Sequence, residues 1–563
     1  MNERELTLFS ALTNIGDDLV LESGAFVPAV GGGVSSSAEA GTARAGRASS
    51  ARGAGKDGRS PWFIPATVAA CAALIAVIGI LVGVVGNAFG FFPTKPPEVT
   101  TETVTNENGE PVTEESVHDS FGGENGTDEA LPGYRVEANS YGETFTMLYC
   151  SDQFKVGAYF DNYRSPVYEL GEAAYQRIKQ TEQHLGVEII RVGSTVNAYK
   201  AELTKDAAVQ NDVYQMAWIH GSQGVTELLA GGHLLDLCEL DSLNFRSDYW
   251  DDDSMEKLSI KGKRYLGYGD ILLPETFAVG FNKEIAAEYG LGSMLYTLVK
   301  DKGWTLDKLE EYSALHFSEN GDGKHDSSDA YGLSFASKTA LLNFQYACGI
   351  PFVVETEGGP AFAQPEDSEL RVIELDKAVF RLTRLSTTYM GNIVGSDQTL
   401  SLKNGRVFLS MTTLDELRAD LQENQSVGIL PYPLYDRDQE AYASLHVGGY
   451  VVVPAAVKHR QMVGDVIETL AYRSADWQDA YDFAVLGGDP SEHRMDASML
   501  GVIRGSLTCD TGLFLSRLGS EVDFIVWGIP NHAHVGGEDY KQVYTRFYKN
   551  GNRLLRSFWN SVP

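Results

Sequence analysis

Asp212-Val-Tyr-Gln-Met-Ala-Trp218, followed by Leu228-Leu-Ala-Gly-Gly-His-Leu-Leu-Asp-Leu237, is the stretch on which the fold turns. The first run, β-branched and aromatic, predicts a strand ending on a tryptophan. The second predicts a helix from Val225 to Ala230 that stops at Gly231-Gly232. Toward the N-terminus, Phe145-Thr-Met-Leu-Tyr149 and Val187-Glu-Ile-Ile-Arg-Val192 read as two further strands. An amphipathic helix from Val167 to Leu185 lies between them, and a helix from Tyr199 to Val209 leads into the third strand. This βαβαβ order implies an α/β domain with a mostly parallel sheet covered by helices. Ligands of such sheets bind outside the carboxyl ends of the strands. Those ends fall at Cys150 to Asp152, Gly193 to Thr195 and Trp218 to Gly221.

The whole chain has 563 residues, enough for two to four folding units. With 43% apolar and 22% charged residues, most of it can bury a core. The net charge of −32 argues against nucleic acid as a partner, because phosphate binding needs a basic surface. The five cysteines are widely spaced and form no CxxC pair, which argues against a disulfide framework or a zinc ribbon.

Between Arg59 and Lys95 there is no charged side chain, and Ala66 to Val85 supplies the ~20 apolar residues that cross a bilayer as a helix. Trp62, Phe63, Phe89, Phe91 and Phe92 flank it as interfacial aromatics. Arg44, Arg47, Arg52, Lys56 and Arg59 precede the span, whereas Glu98, Glu102, Glu107, Glu110, Glu114 and Glu115 follow it. This asymmetry places the N-terminus in the cytoplasm and the rest outside, making a single-pass protein of the cell membrane. Lipidation at Cys71 is the competing reading, but most of the apolar length follows that cysteine instead of preceding it. The division is therefore a disordered cytoplasmic tail at 1–60, a transmembrane helix at 61–92 and an acidic extracellular linker at 93–140. A folded domain occupies 141–563.

The folded domain carries a family resemblance. Beyond Asp212 to Trp218 and Leu228 to Leu237, Gly262-Lys-Arg-Tyr-Leu-Gly-Tyr268, Ala278-Val-Gly-Phe-Asn-Lys283, Gly290-Leu291 and Trp304-Thr-Leu-Asp-Lys-Leu309 appear in order. Asn404-Gly-Arg-Val-Phe-Leu-Ser-Met411, Gly428-Ile-Leu-Pro-Tyr-Pro433 and Gly448-Gly-Tyr-Val-Val-Val-Pro454 continue the series. The set resembles the extracellular solute-binding proteins of ABC importers, in particular the carbohydrate-binding, maltose-binding-protein-like group. The resemblance implies a two-lobed periplasmic-binding-protein-like fold with a hinge and a ligand cleft, preceded here by one transmembrane helix. By analogy lobe 1 takes 141–270 with 404–446, and lobe 2 takes 271–403 with 447–563. It also implies a small-molecule ligand, a sugar, and the permease subunits of an ABC transporter as partners. The uncleaved span departs from relatives that are lipoproteins and leaves a sensory or adhesive receptor without a transporter as the second reading.

A sugar offers hydroxyls at its edges and weakly polar faces, so its site pairs acids and amides with flat aromatic rings. Trp218 is the foremost stacking candidate. Tyr149 and Asp152 at the end of the first strand, Asp161 and Tyr163 in the loop after it, and Asp270 at the expected hinge crossing supply the rest. Gly448 and Gly449 let backbone approach a ligand, and Tyr450 is a second ring. No HExxH or GxSxG motif is present, and Gly267-Tyr-Gly269 lacks the last glycine of a dinucleotide fingerprint. The chain is read as a non-enzyme requiring no cofactor. A cell-surface glycoside hydrolase is kept as the third reading, since some pair of acids always suits that chemistry. Ser318, Asn320, Asp322, the Lys324 carbonyl, Asp326 and Asp329 fall in the register of a calcium loop with Gly323 at the sixth place, an expected structural calcium site.

Overall fold

The computed structural model describes residues 133–150, 168–363, 365–390, 402, 405–423 and 426–563. The expected tail, span and most of the linker lie outside the described residues, as do Asp152, Asp161 and Tyr163. No helix among the described residues is long and apolar enough to cross a membrane.

Eight of the described strands carry the architecture. In chain order they are β1 (Thr144–Cys150), β2 (Glu188–Ser194), β3 (Met216–Ile219), β4 (Phe277–Asn282), β5 (Ala330–Phe335), β6 (Val407–Thr413), β7 (Val427–Leu430) and β8 (Tyr450–Val452). The first sheet has the order β8-β3-β1-β2, with β1 parallel to β2 and β3 and with β8 antiparallel to β3. The second runs β7-β4-β6-β5, where β4 is antiparallel to both neighbours and β6 is parallel to β5. β1 buries Phe145, Met147, Leu148, Tyr149 and Cys150 on both faces, as a strand between two parallel partners does.

Helix α1 (Tyr168–Leu185) follows β1. Leu170, Ala174, Arg177, Ile178, Thr181 and Leu185 recur at helical spacing and form its buried stripe. Gly186 ends it at φ +60, and a Cβ there would stand 2.7 Å from the Ser140 Cα, so the position needs glycine for both conformation and space. Helices α2 (Tyr199–Val209) and α3 (Val225–Ala230) match the expected bounds. The third strand starts late, at Met216, because Asp212 sits in the left-handed region at φ 58 and its Oδ1 accepts from the Gln215 side chain at 3.1 Å. That local bond bends the chain away from the ladder.

The remaining helices used below are α4 (Leu414–Glu423), α5 (Arg460–Tyr472), α6 (Ala475–Leu486) and α7 (Arg494–Gly505). Helix α5 packs on α1, α6 packs on both α1 and α4, and α7 lies against β7. Thus α6 touches helices belonging to each sheet.

The strand pairing corrects the expected division into lobes. β6 and β7, within 404–446, pair with β4 and belong to the second sheet, while β8, beyond 447, pairs with β3 in the first. The reason is connectivity. The chain leaves β7, crosses back at Leu445–Gly449 and adds β8 antiparallel to β3, with Trp218 opposite Val451. An apolar strand pattern shows that a segment is buried but not in which sheet it finds its partner.

Candidate ligand site

Two segments carry the chain between the sheets. Gly267 is bonded to Val451 in the first sheet, and the chain then runs through Tyr268–Thr276 into β4. The other segment is Leu445–Gly449. They lie side by side: Val447 N–H donates to the Glu275 carbonyl at 2.9 Å, and the Thr276 hydroxyl donates to the Leu445 carbonyl at 2.8 Å. This is the hinge.

Trp218 is the penultimate residue of β3, with Tyr149 beside it in register on β1, and is only 3% exposed. The glycines at the second crossing exist for its sake. A Cβ on Gly449 would stand 2.2 Å from Trp218 Nε1 and 2.3 Å from the Ile219 carbonyl, and a Cβ on Gly221 would stand 2.2 Å from the Gly448 carbonyl. Neither Gly448 nor Gly449 adopts positive φ, so close approach and not turn geometry selects them. Beyond β3, His220 Nδ1 accepts from the Ser222 and Gln223 amides at 2.9 and 3.1 Å. Burial holds this imidazole down at about 3, which keeps it neutral and able to accept both.

The hinge also holds two groups that the motif reading passed over. Both carboxyl oxygens of Glu275 are buried and have no hydrogen-bond partner. Burial pushes this carboxyl well above the usual range, and the nearby Asp415 adds to the rise. His446 is 1% exposed; its Nε2 donates to the Gly449 carbonyl at 3.1 Å, and Nδ1 is left as an unpartnered acceptor. Burial lowers it to about 4, against a smaller upward pull from the Gly449 and Glu275 backbones. Glu275 Oε2 and His446 Cε1 lie 2.8 and 2.6 Å from the point where a Gly448 side chain would begin, so the two groups meet across the bare glycine. Tyr268 lies against His446 with ring centroids 4.3 Å apart. A buried carboxyl without a partner costs stability in the free protein, and a ligand that bonds to it removes that cost. A signal for Glu275 was present: it is the only charged residue from Ile271 to Phe281, in ILLPETFAVGF.

The other sequence candidates fall elsewhere. Tyr450 is fully buried in β8, opposite Ile219. Asp270 lines a different cavity of about 150 Å3 with Asp248, Tyr249, Trp250 and Arg504, and its Oδ1 is 4.0 Å from the Arg504 guanidinium. The residues expected to ring a calcium ion hold one another instead. Asn320 Oδ1 accepts from Asp322 N–H at 2.9 Å and Asp322 Oδ1 from Lys324 N–H at 2.8 Å. Asp329 is buried and closes the loop by accepting from the Asn320 and Asp326 amides at 3.0 and 3.3 Å. Ser318 pairs with Ala330 in a short strand. Among the described residues, no three His, Cys, Asp or Glu side chains are grouped to hold a metal ion. As arranged, the loop does not fit the ion.

No family model matches the chain, and no curated protein matches it in sequence. Solved sugar-binding proteins match it in three dimensions. The sugar-binding protein MalE from Xanthomonas citri has a TM-score of 0.52 and 12% identity, covering 74% of this chain and 98% of that one. For the galacto-N-biose-/lacto-N-biose I-binding protein of the ABC transporter from Bifidobacterium longum, the TM-score is 0.48 and the identity 11%, with 74% of this chain and 97% of that one covered. Maltose-bound T. maritima MalE3 gives 0.47 and 12%, covering 73% and 100%. The likeness to the X. citri structure is one of fold, a two-lobed α/β architecture with one sheet in each lobe.

Proposed function

We propose that this chain is a membrane-tethered receptor outside the cytoplasm that captures a carbohydrate between its two sheets and passes it to an ABC importer. The observation that carries this reading is the group at the hinge. There an unpartnered buried carboxyl at Glu275 and a free acceptor on His446 stand beside Trp218, where both crossings meet. Such a group offers a sugar hydroxyl both a donor and an acceptor, with an indole nearby for the weakly polar face. The resemblance in fold to a sugar-binding protein supports the same ligand class. Asp152, Asp161 and Tyr163, which follow β1 in the sequence, remain ligand candidates. The tether is proposed from the uncharged run at 61–92 and its flanking charges. That uncleaved span also favours the second reading, a sensory receptor that binds the same ligand class without a transporter.

The test is a melting-temperature screen of the full chain against mono- and oligosaccharides, amino acids, peptides and metal ions. A ligand binding only the native state at a hundred times its dissociation constant adds roughly 2.7 kcal/mol. Stabilisation by a sugar that disappears in Trp218→Ala supports the reading. Stabilisation by amino acids or peptides alone would overturn it.

A further inference from the structure

Three successive carbonyls of the first hinge segment are occupied by side chains. Gln478, on α6 and buried, donates its amide hydrogens to the Asp270 and Leu272 carbonyls at 2.7 Å each. Arg177, on α1 and also buried, donates from Nη1 to the intervening Ile271 carbonyl at 3.3 Å and to Ser474 Oγ at 2.9 Å. Its guanidinium lies over the Trp477 ring of α6 at 3.8 Å. Gln478 is itself held, because its Oε1 accepts from Arg504 Nη2 at 2.9 Å, while Arg504 Nη1 pairs with Asp482 at 2.6 Å.

Arg504 sits near the C-terminal end of α7, whose first turn is fixed to the second sheet. There Asp496 is buried and accepts from the Ile429 amide of β7 at 3.1 Å, from Tyr296 Oη at 2.7 Å and from Lys283 Nζ at 2.8 Å. Helix α7 is therefore a rod of about 12 Å between the two residues, anchored on the second sheet at one end and gripping the hinge through Gln478 at the other.

We propose that Arg504 and Gln478 form a clasp that immobilises residues 270–272, so that within the first crossing opening and closing bend Leu273–Thr276 alone. This rests on the reading of the two sheets as lobes that move about the hinge. A carbonyl pinned by a buried amide cannot swing without breaking that bond inside the protein, where an unmade bond costs about 1–3 kcal/mol. The carbonyls of Leu273, Glu275 and Thr276 are met by backbone amides instead, those of Glu275, Val447 and Leu414 respectively, each at 2.9 Å. The clasp is thus a positioning device: neither Arg504 nor Gln478 lines the Trp218–Glu275 group, yet both set how freely the lobes sample open and closed arrangements. A receptor's apparent dissociation constant is its intrinsic one divided by the fraction of time it spends in the competent arrangement. Arg504 and Gln478 then tune binding from outside the site.

The experiment needs no ligand. Spin labels on cysteines replacing Val209 at the end of α2 and Met294 beside the second sheet, both exposed, report the distance between the lobes in the full-length protein. The exposed Cys238 and the cysteine at position 71 are replaced by serine. The wild type is expected to give a narrow distance distribution. Gln478→Leu, which removes donor and acceptor, is expected to widen it at least twofold. Gln478→Glu keeps the Arg504 contact but loses the donors, and it should widen the distribution equally. Val485→Ala empties core space on the same helix without touching the hinge carbonyls and should leave the width unchanged. Equal widths for wild type and both Gln478 variants overturn the clasp, as does equal broadening by Val485→Ala. A failed ligand screen leaves these widths readable, so the clasp and the sugar reading fail separately.

Discussion

Glu275→Gln tests the hinge group most directly. The substitution keeps the shape of the side chain and both kinds of hydrogen-bonding atom, but it removes the ability to ionise. In the native protein both carboxyl oxygens are buried without partners, and burial lifts the carboxyl well above its ordinary value of 4.5. The native state therefore keeps a proton that the unfolded chain releases. The stability tied to that proton is fully present below the unfolded value and is lost as pH rises toward the native one. Within that window the wild type loses about 1.4 kcal/mol per pH unit relative to Glu275→Gln. From pH 5 upward the gap should therefore widen with pH until the native carboxyl itself ionises. Other lifted carboxyls, among them Asp510, which burial raises to about 7, are common to both proteins and largely cancel in the difference. Urea unfolding of the two proteins at pH 5, 6 and 7 without ligand measures it. A stability difference that stays constant across the three pH values would refute the reasoning, because it would mean that Glu275 reaches water or a partner in the native state.

Four further outcomes are expected. Gly449→Ala should cost at least 1–3 kcal/mol in chemical unfolding, because the new carbon meets the Ile219 carbonyl as well as the indole; Trp218→Phe should not rescue it, since the backbone oxygen remains. Trp218→Ala should weaken sugar binding by about 1–3 kcal/mol in calorimetry, and an unchanged dissociation constant would remove Trp218 from the site. Calcium at several millimolar should leave the melting temperature unmoved; a rise that Asp322→Ala abolishes would show that the loop rearranges around an ion. Protease added to intact cells should remove the chain beyond about residue 94 and spare the tail, whereas a mature chain beginning at a lipidated Cys71 would replace the span with a lipid anchor.

Local pattern carried the first βαβαβ unit nearly residue for residue, because helix period, strand alternation and glycine stops are properties of neighbours in sequence. Helices 199–209 and 225–230 came out at their observed limits for that reason. The start of β3 did not, since the left-handed turn at Asp212 depends on one side-chain bond to Gln215. The allotment of 404–446 and 447–452 to lobes failed for a different reason: which sheet a strand joins depends on partners more than a hundred residues away. The hinge group was half legible. Trp218 and the glycine pair announce themselves by type, whereas Glu275 is conspicuous only as a lone acid in an apolar run, and His446 only once its unpartnered nitrogen is located in space. At Ser318–Asp329 the same Asn/Asp/Gly register serves a calcium loop and a self-bonded turn equally well, and sequence cannot separate the two. The candidates in 151–167 lie outside the described residues.

The late return of β8 sets the order in which this protein can be assembled. β3 is an edge strand until Tyr450–Val452 arrives, roughly two hundred and thirty residues further along the chain. Throughout that interval the side of β3 away from β1 is an open, apolar edge, and such an edge invites the wrong partner. All the strands of the second sheet precede β8 in the chain, and the crossing at Leu445–Gly449 leads directly from that sheet to β8. The first sheet therefore receives its last strand after all the strands of the second, although it is begun first. A chain stopped before residue 450 would hold every strand of the second sheet but leave the first sheet open along one side.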